Sequence, residues 1–215
     1  MERLICVVIG YIFGLFQTAF IYGKLKGIDI REHGSGNAGT TNALRVLGKK
    51  AGLIVFAGDV LKCILAVVVC WLLFGKENPQ EAYLFKLYAA TGAILGHNFP
   101  FYLNFKGGKG IAATAGLIAS FHPTFIPVGL LLFFGAFFLT HYVSLGSLLV
   151  YAGFMIQMVV SGQMGLFHTN QMVLNEMYLV TAFLMIMAYY KHKDNIVRLV
   201  KGQERKTYLT KKSDM

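Results

Sequence analysis

Six runs of this 215-residue chain are long and apolar enough to be read as membrane spans, at about 4–23, 52–74, 83–103, 125–140, 143–165 and 176–190. An α-helix crosses a bilayer core with roughly 17–25 apolar residues, and inside that core every backbone N–H and C=O must find its partner within the protein. The runs therefore predict an all-α, polytopic integral membrane protein with short loops. The chain is 56% hydrophobic and only 14% charged, against about a quarter charged in soluble domains. A soluble globular domain and intrinsic disorder are both excluded on that ground. The first run does not read as a signal peptide, because its leading region is only Met1-Glu2-Arg3 and no A-x-A site follows.

A shorter apolar run at about 111–122 decides the parity. If it crosses there are seven helices, and if it dips and returns there are six. The basic residues choose between these. Sixteen of the 20 Lys and Arg lie in three segments: the connection after the first run, the Lys106–Lys109 loop, and the chain from Lys191 onward. About seven transmembrane helices, with the N-terminus outside and the C-terminus cytoplasmic, put all three on the cytoplasmic face, as positive-inside topology asks. The expected organisation is a single membrane domain over 1–206 and a polar C-terminal tail over 207–215. A net charge of +10 would suit nucleic acid, but here it sits in short gaps between apolar runs. It points to membrane lipid and an anionic substrate, with no nucleic-acid partner.

Cys6, Cys63 and Cys70 fall inside apolar runs with no CxxC pair, and none of the six histidines has HxxxH or HExxH spacing. No metal and no cofactor is expected. The only opposite-charge pair deep in a span is Asp59–Lys62, spaced i,i+3 and read as a structural brace.

Three polar clusters share the basic face. The first runs from Gly34 to Asn42 and ends at Arg45. Its glycines allow positive φ and close approach of N–H groups, Ser35, Asn37, Thr40, Thr41 and Asn42 supply neutral hydrogen-bonding groups, and a short helix over Ala43–Leu47, capped by Thr40 or Thr41, would offer its N-terminus to an anion. A ligand-free flexible loop is the alternative. The second cluster, Gly96 to Gly110, joins His97 to Lys106, Gly107, Gly108, Lys109 and Gly110. Two lysines among three glycines, opening a helix at Ile111, make a phosphate site. The GxxxxGK[ST] spacing fails, so nucleotide hydrolysis is disfavoured. Positive-inside lysines alone would explain the charges but not the glycines. The third cluster begins at Lys191 and places His192, Asn195 and Arg198 at helical spacing, with Glu204 beyond. A snorkelling basic helix end is its alternative. Ser144, in the connection after Thr140, falls on the same face.

The stretches GSGNAGTTNALR (Gly34–Arg45), GHNFPFYLNFKGGKGIAAT (Gly96–Thr114) and HKDNIVRLVKGQE (His192–Glu204) resemble the bacterial acyl-phosphate:glycerol-3-phosphate acyltransferases. DVLK around Asp59 and Lys62 and YVSLGS at Tyr142–Ser147 fit the same pattern, in the same order, over most of the chain. His141 stands where that pattern suggests a basic residue such as Arg. The resemblance implies seven membrane helices in the bacterial cytoplasmic (inner) membrane with a cytoplasmic active site. It implies acyl transfer from acyl phosphate to the 1-hydroxyl of sn-glycerol 3-phosphate, giving lysophosphatidate and phosphate, the first acylation of phospholipid synthesis. Contact with other phospholipid-synthesis enzymes is a further expectation. The signature of soluble acyltransferases, His followed five residues later by Asp, is absent at all six histidines.

On that footing Lys106 and Lys109, with the Gly107, Gly108 and Gly110 amides, would hold one phosphate and stabilise the oxyanion. Ser35, Gly36, Asn37, Thr41, Asn42 and Arg45 would hold the other phosphate or the glycerol hydroxyls. His97 is the side chain best placed to act as base, with a substrate phosphate oxygen as the other acceptor. Ser144, His192, Asn195 and Glu204 complete the candidate binding set. A membrane transporter of organic phosphates is the rival from another class.

Overall fold

The structure, a computed structural model, describes residues 1–208, so 209–215 of the expected polar tail lie outside the described residues. Among the described residues all regular structure is helical. The order is α1 (Glu2–Gly14), α2 (Thr18–Leu25), α3 (Thr40–Leu47), α4 (Lys49–Cys70), α5 (Ala82–Asn98), α6 (Ile111–Phe121), α7 (Phe125–Thr140), α8 (Val143–Gln163), α9 (Gln171–Lys191) and α10 (Lys193–Val200). Four stretches, Glu2–Leu25, Lys49–Gly75, Val143–Gln163 and Gln171–Lys191, are long and apolar enough to cross a membrane. Large apolar side chains on the outer faces, among them Ile12, Leu65, Leu131, Leu139 and Ile156, stay exposed, as they do on helices that face lipid.

The bundle closes on small residues. Gly10 and Gly14 of α1 lie against Ala89, Ala93 and Gly96 of α5, and Gly92 and Gly96 lie against Val7 and Tyr11. A Cβ at any of these four glycines would collide with backbone of the other helix. Where lipid removes the hydrophobic drive between helices, such close approach supplies the dispersion contacts that hold them. Gly116 packs the same way against Val60 and Cys63, bringing α6 onto α4.

Prolines and one break set where the helices stop. The first apolar run is not one helix: it leaves helical geometry at Gln17, where φ is −91° and ψ 85°. The carbonyls freed by that break are answered from elsewhere. Leu15 O accepts from Tyr102 Oη at 2.7 Å, Phe16 O from Lys62 Nζ at 2.8 Å, and Gly14 O from Gln17 Nε2 at 3.1 Å. The third run ends at Asn98 rather than near 103, because Pro100 disfavours helical geometry at Phe99. His122 before Pro123 stops α6 likewise.

Opposite ends of the bundle carry different chemistry. At one end Arg3 Nε donates to Glu176 at 2.6 Å and Arg3 Nη2 to Glu81 at 3.1 Å, while Tyr88 Oη donates to Glu176 at 2.7 Å, tying α1, α5 and α9. All three polar clusters gather at the other end.

Candidate active site

The α5–α6 connection folds back onto the end of α5. Gly107 N donates to Asn98 O at 3.3 Å and Gly108 N to His97 O at 3.1 Å. A Cβ on Gly107 would overlap His97 O, and one on Gly108 would overlap His97 Nε2 and crowd Ala38 O. Glycine is required here by contact, and the Ala38 carbonyl shows that the first glycine loop touches the second. Two expected anion donors change role as a result: the amides of Gly107 and Gly108 close the loop and do not point out of it. The free donors lie further on. Among the described residues, the N–H groups of Ile111, Ala112 and Ala113 meet no acceptor, which leaves the positive end of α6 open to an anion. Gly110 caps that end with φ 82°. Its carbonyl accepts from Thr114 Oγ1 at 2.9 Å, and Thr114 Oγ1 pairs with the buried Tyr151 hydroxyl at 2.5 Å.

Lys109 reaches from this loop to α10. Its ammonium donates to Asn195 Oδ1, Asn195 Nδ2 donates to Glu204 Oε1 at 2.7 Å, and Arg198 Nε donates to Glu204 Oε2 at 2.9 Å. Burial holds the Lys109 ammonium below its ordinary range, and the positive charge of Arg198 adds to that. His192, 3% exposed, donates from Nδ1 to Ala188 O at 2.8 Å, since a carbonyl can only accept. Burial pushes its imidazole down to about 4. Lys191 Nζ donates to Asn98 O at 3.2 Å and lies 4.7 Å from the centre of the Phe99 ring. Asn98 Oδ1 and Ser144 Oγ are buried without a partner among the described residues, so each keeps capacity for a ligand.

The α2–α3 loop is built around two side chains. Asp29 accepts from Arg31 N at 3.0 Å and from Arg31 Nη2 at 2.8 Å, and the guanidinium holds this carboxyl well below the usual carboxylate range. Asn42, 1% exposed, accepts from Ser35 N at 2.8 Å and donates to Ile30 O at 3.1 Å and His33 O at 2.9 Å. Asn42 thus departs from the expected binding set: both Nδ2 donors are spent and Oδ1 holds the Ser35 amide, so the side chain shapes the loop. Gly34 and Gly36 take φ 63° and 71°, conformations that glycine adopts without steric cost. The side chains of Ser35, Asn37 and Thr41 make no hydrogen bond among the described residues and stay available. Arg45 Nη2 donates to Thr207 Oγ1 at 3.0 Å, and Thr207 N donates to His141 O at 2.9 Å. Thr207, placed by sequence at the start of a polar tail, is 3% exposed, and the Tyr208 ring packs at a tilt against His141 with ring centres 4.7 Å apart.

His97 and Lys106 differ from expectation. His97 is 2% exposed, with Nδ1 2.9 Å from Lys62 Nζ and 3.6 Å from Asp59 Oδ1. That nitrogen is tied into the bundle by Lys62. Lys106 is exposed and makes no side-chain bond among the described residues, so the two loop lysines do not close on one point. Lys191 and Asn98 fall inside the sequence clusters without being read as site residues, whereas the approach of Lys62 to His97 and the burial of Thr207 are not signalled by spacing. The Lys62–His97 contact joins two helices, and a threonine in a polar tail carries no mark of burial.

The family model for glycerol-3-phosphate acyltransferase matches residues 4–202. The glycerol-3-phosphate acyltransferase of Bacillus velezensis is 39% identical over 201 residues, covering 93% of this chain and 95% of the relative. That of Bacillus subtilis is 37% identical, covering 93% and 95%. The crystal structure of PlsY (YgiH), an integral membrane glycerol 3-phosphate acyltransferase, aligns in its glycerol 3-phosphate form with a TM-score of 0.82 and 29% identity, over 97% of this chain and 96% of that one. Its lysophosphatidic acid form aligns with a TM-score of 0.80. With a match over nearly the whole length, and glycine, lysine and histidine clusters gathered at one end of an apolar bundle, one conclusion is left: the chain belongs to the glycerol-3-phosphate acyltransferase family.

Proposed function

We propose that the protein transfers a fatty acyl group from acyl phosphate to the 1-hydroxyl of sn-glycerol 3-phosphate, releasing lysophosphatidate and inorganic phosphate. The observation that carries this reading is the convergence of Lys109, Asn195, His192 and the open N-terminus of α6 at one end of a lipid-facing bundle. One substrate would be a soluble dianion and the other a phosphate on an apolar chain. A positively charged cluster at the end of an apolar, lipid-facing bundle suits both.

In this reading Lys109 and the α6 N-terminus hold one phosphate, with Lys106 at the exposed rim drawing anions in. Ser35, Gly36, Asn37, Thr41 and Arg45 face the other phosphate or the glycerol hydroxyls. Ser144 offers its unpartnered hydroxyl. The 1-hydroxyl oxygen attacks the acyl carbon, the acyl C–O bond to phosphate breaks, and phosphate leaves with the bonding pair. Fixed donors at the oxyanion lower that barrier. The hydroxyl proton passes to a phosphate oxygen, because His97 is buried with its Nδ1 paired to Lys62 and its Nε2 covered by Gly108. Phosphate is a good leaving group, so no covalent acyl-enzyme is required.

The same reading places the bundle in the bacterial inner membrane with seven spans, the N-terminus outside and the site cytoplasmic. Two things support it. The basic clusters share one end, and α6 begins at that end while its Phe121 carbonyl accepts from Lys86, on the half of α5 remote from His97, at 3.2 Å. The test is product analysis by mass spectrometry with detergent-purified protein, palmitoyl phosphate and glycerol 3-phosphate. 1-Palmitoyl lysophosphatidate formed without added metal supports the reading; no acylated product from folded protein overturns it.

A further inference from the structure

Lys62 meets three acceptors at the break between α1 and α2. Its Nζ lies 2.8 Å from Asp59 Oδ1, 2.8 Å from Phe16 O and 2.9 Å from His97 Nδ1. An ammonium has three N–H bonds and no lone pair, so this geometry uses every donor it has. His97 Nδ1 therefore accepts, and a neutral imidazole that accepts at Nδ1 carries its proton on Nε2. Asp59 does not compete for Nδ1, since 3.6 Å is beyond hydrogen-bond reach. Instead Asp59 Oδ1 balances the ammonium and accepts from Thr18 Oγ1 at 3.1 Å.

The opposite edge of the ring supports the anion loop. Gly108 lies over Nε2 so closely that a Cβ would overlap it, and the Gly108 amide bonds the His97 carbonyl. Gln17 Nε2 holds that carbonyl and Gly96 O, each at 3.1 Å. The position of the imidazole thus sets the height of the loop from which Lys109 extends, and Lys62 sets the imidazole.

We propose that Lys62 is a positioning residue for acyl transfer: it holds His97 as the Nε2–H tautomer and through that ring seats the Gly107–Gly110 loop and Lys109. His97 then acts as a support and not as the base. The kinetic part of this proposal rests on the acyltransferase reading, while the tautomer does not.

The test has two arms. In full-length protein carrying 15N-histidine, with His97 assigned by difference from H97N, the expected spectrum shows Nδ1 unprotonated and Nε2 protonated. An unprotonated Nε2 overturns the proposal whether or not the protein turns over. In the kinetic arm, His97→Asn keeps an oxygen for Lys62 to donate to, while His97→Ala leaves the ammonium short of an acceptor. A support predicts that H97N exceeds H97A in kcat/KM by at least about tenfold, and that K62R recovers a similar factor over K62M, the scale of misplacing a reacting group. Equal inactivity of H97N and H97A in folded protein would mark His97 as the base and overturn the proposal. If wild-type protein forms no product, the proposed function fails and the spectrum still decides the tautomer.

Discussion

Asn195 stands between Lys109 and Glu204, its Oδ1 accepting from the ammonium and its Nδ2 donating to the carboxylate at 2.7 Å. Both partners come from other segments, so one amide on α10 fixes the lysine of the α5–α6 loop. Asn195→Ala frees Lys109 to swing, and kcat/KM is expected to fall by about 100-fold. Steady-state kinetics on the purified variant check this; near wild-type kcat/KM would mean that Lys109 is positioned by something else.

Glu204 also holds Arg198, at 2.9 Å, and its side chain is only 6% exposed. Glu204→Ala leaves two donors without their acceptor, which destabilises by about 1–3 kcal/mol. The expected result is a lower melting temperature together with lower activity. A melting temperature equal to wild type would contradict the network.

Gly108→Ala drives a methyl group into the His97 ring and against the Ala38 carbonyl. Activity is expected to drop by about 100-fold or more as the loop is displaced. Gly135→Ala is the control: its added Cβ meets nothing within 4 Å, and in a helix it should be neutral or slightly stabilising. Comparable losses in both variants would show that the site's geometry is not the cause.

Gly92→Ala tests the α1–α5 seam. The methyl group would overlap the Val7 carbonyl, and overpacking of this kind costs about 1–3 kcal/mol. Thermal unfolding in detergent should show the loss, and unchanged stability would mean that the two helices are not held this closely.

His192 gives a pH dependence whose sign can be worked out. Its imidazole titrates near about 4 when folded, against an ordinary 6.5. Between those values the unfolded chain binds the extra proton, so stability rises with pH. The contribution is complete above about pH 6.5 and is lost as pH falls toward about 4. His192→Gln should therefore lose less stability than wild type between about pH 7.5 and about pH 5, read by thermal melting. Equal losses would contradict a buried neutral His192.

Much of the architecture is legible in the sequence, because lipid exposure forces apolar runs, although the third run reads past Pro100 to about 103 while its helix ends at Asn98. The break at Gln17 is not, since its cause is tertiary: Lys62, Tyr102 and Gln17 itself satisfy the carbonyls that let the helix stop. Composition locates the three polar clusters, yet it does not separate residues that face a ligand from those that shape the loop. Asn42 and the Gly107 and Gly108 amides read as donors to an anion but are consumed internally. Lys62 reads correctly as half of a buried pair, while its third partner, His97, depends on how α4 packs against α5.

The most direct measurement of the central claim is phosphate release from palmitoyl phosphate by detergent-purified protein, with and without glycerol 3-phosphate. Release is expected to require the acceptor, to match lysophosphatidate mole for mole, and to fall by about 100-fold or more in Lys109→Ala, as loss of a fixed cationic donor at the reacting centre should. Release that ignores the acceptor, or Lys109→Ala turning over like wild type, would contradict that claim.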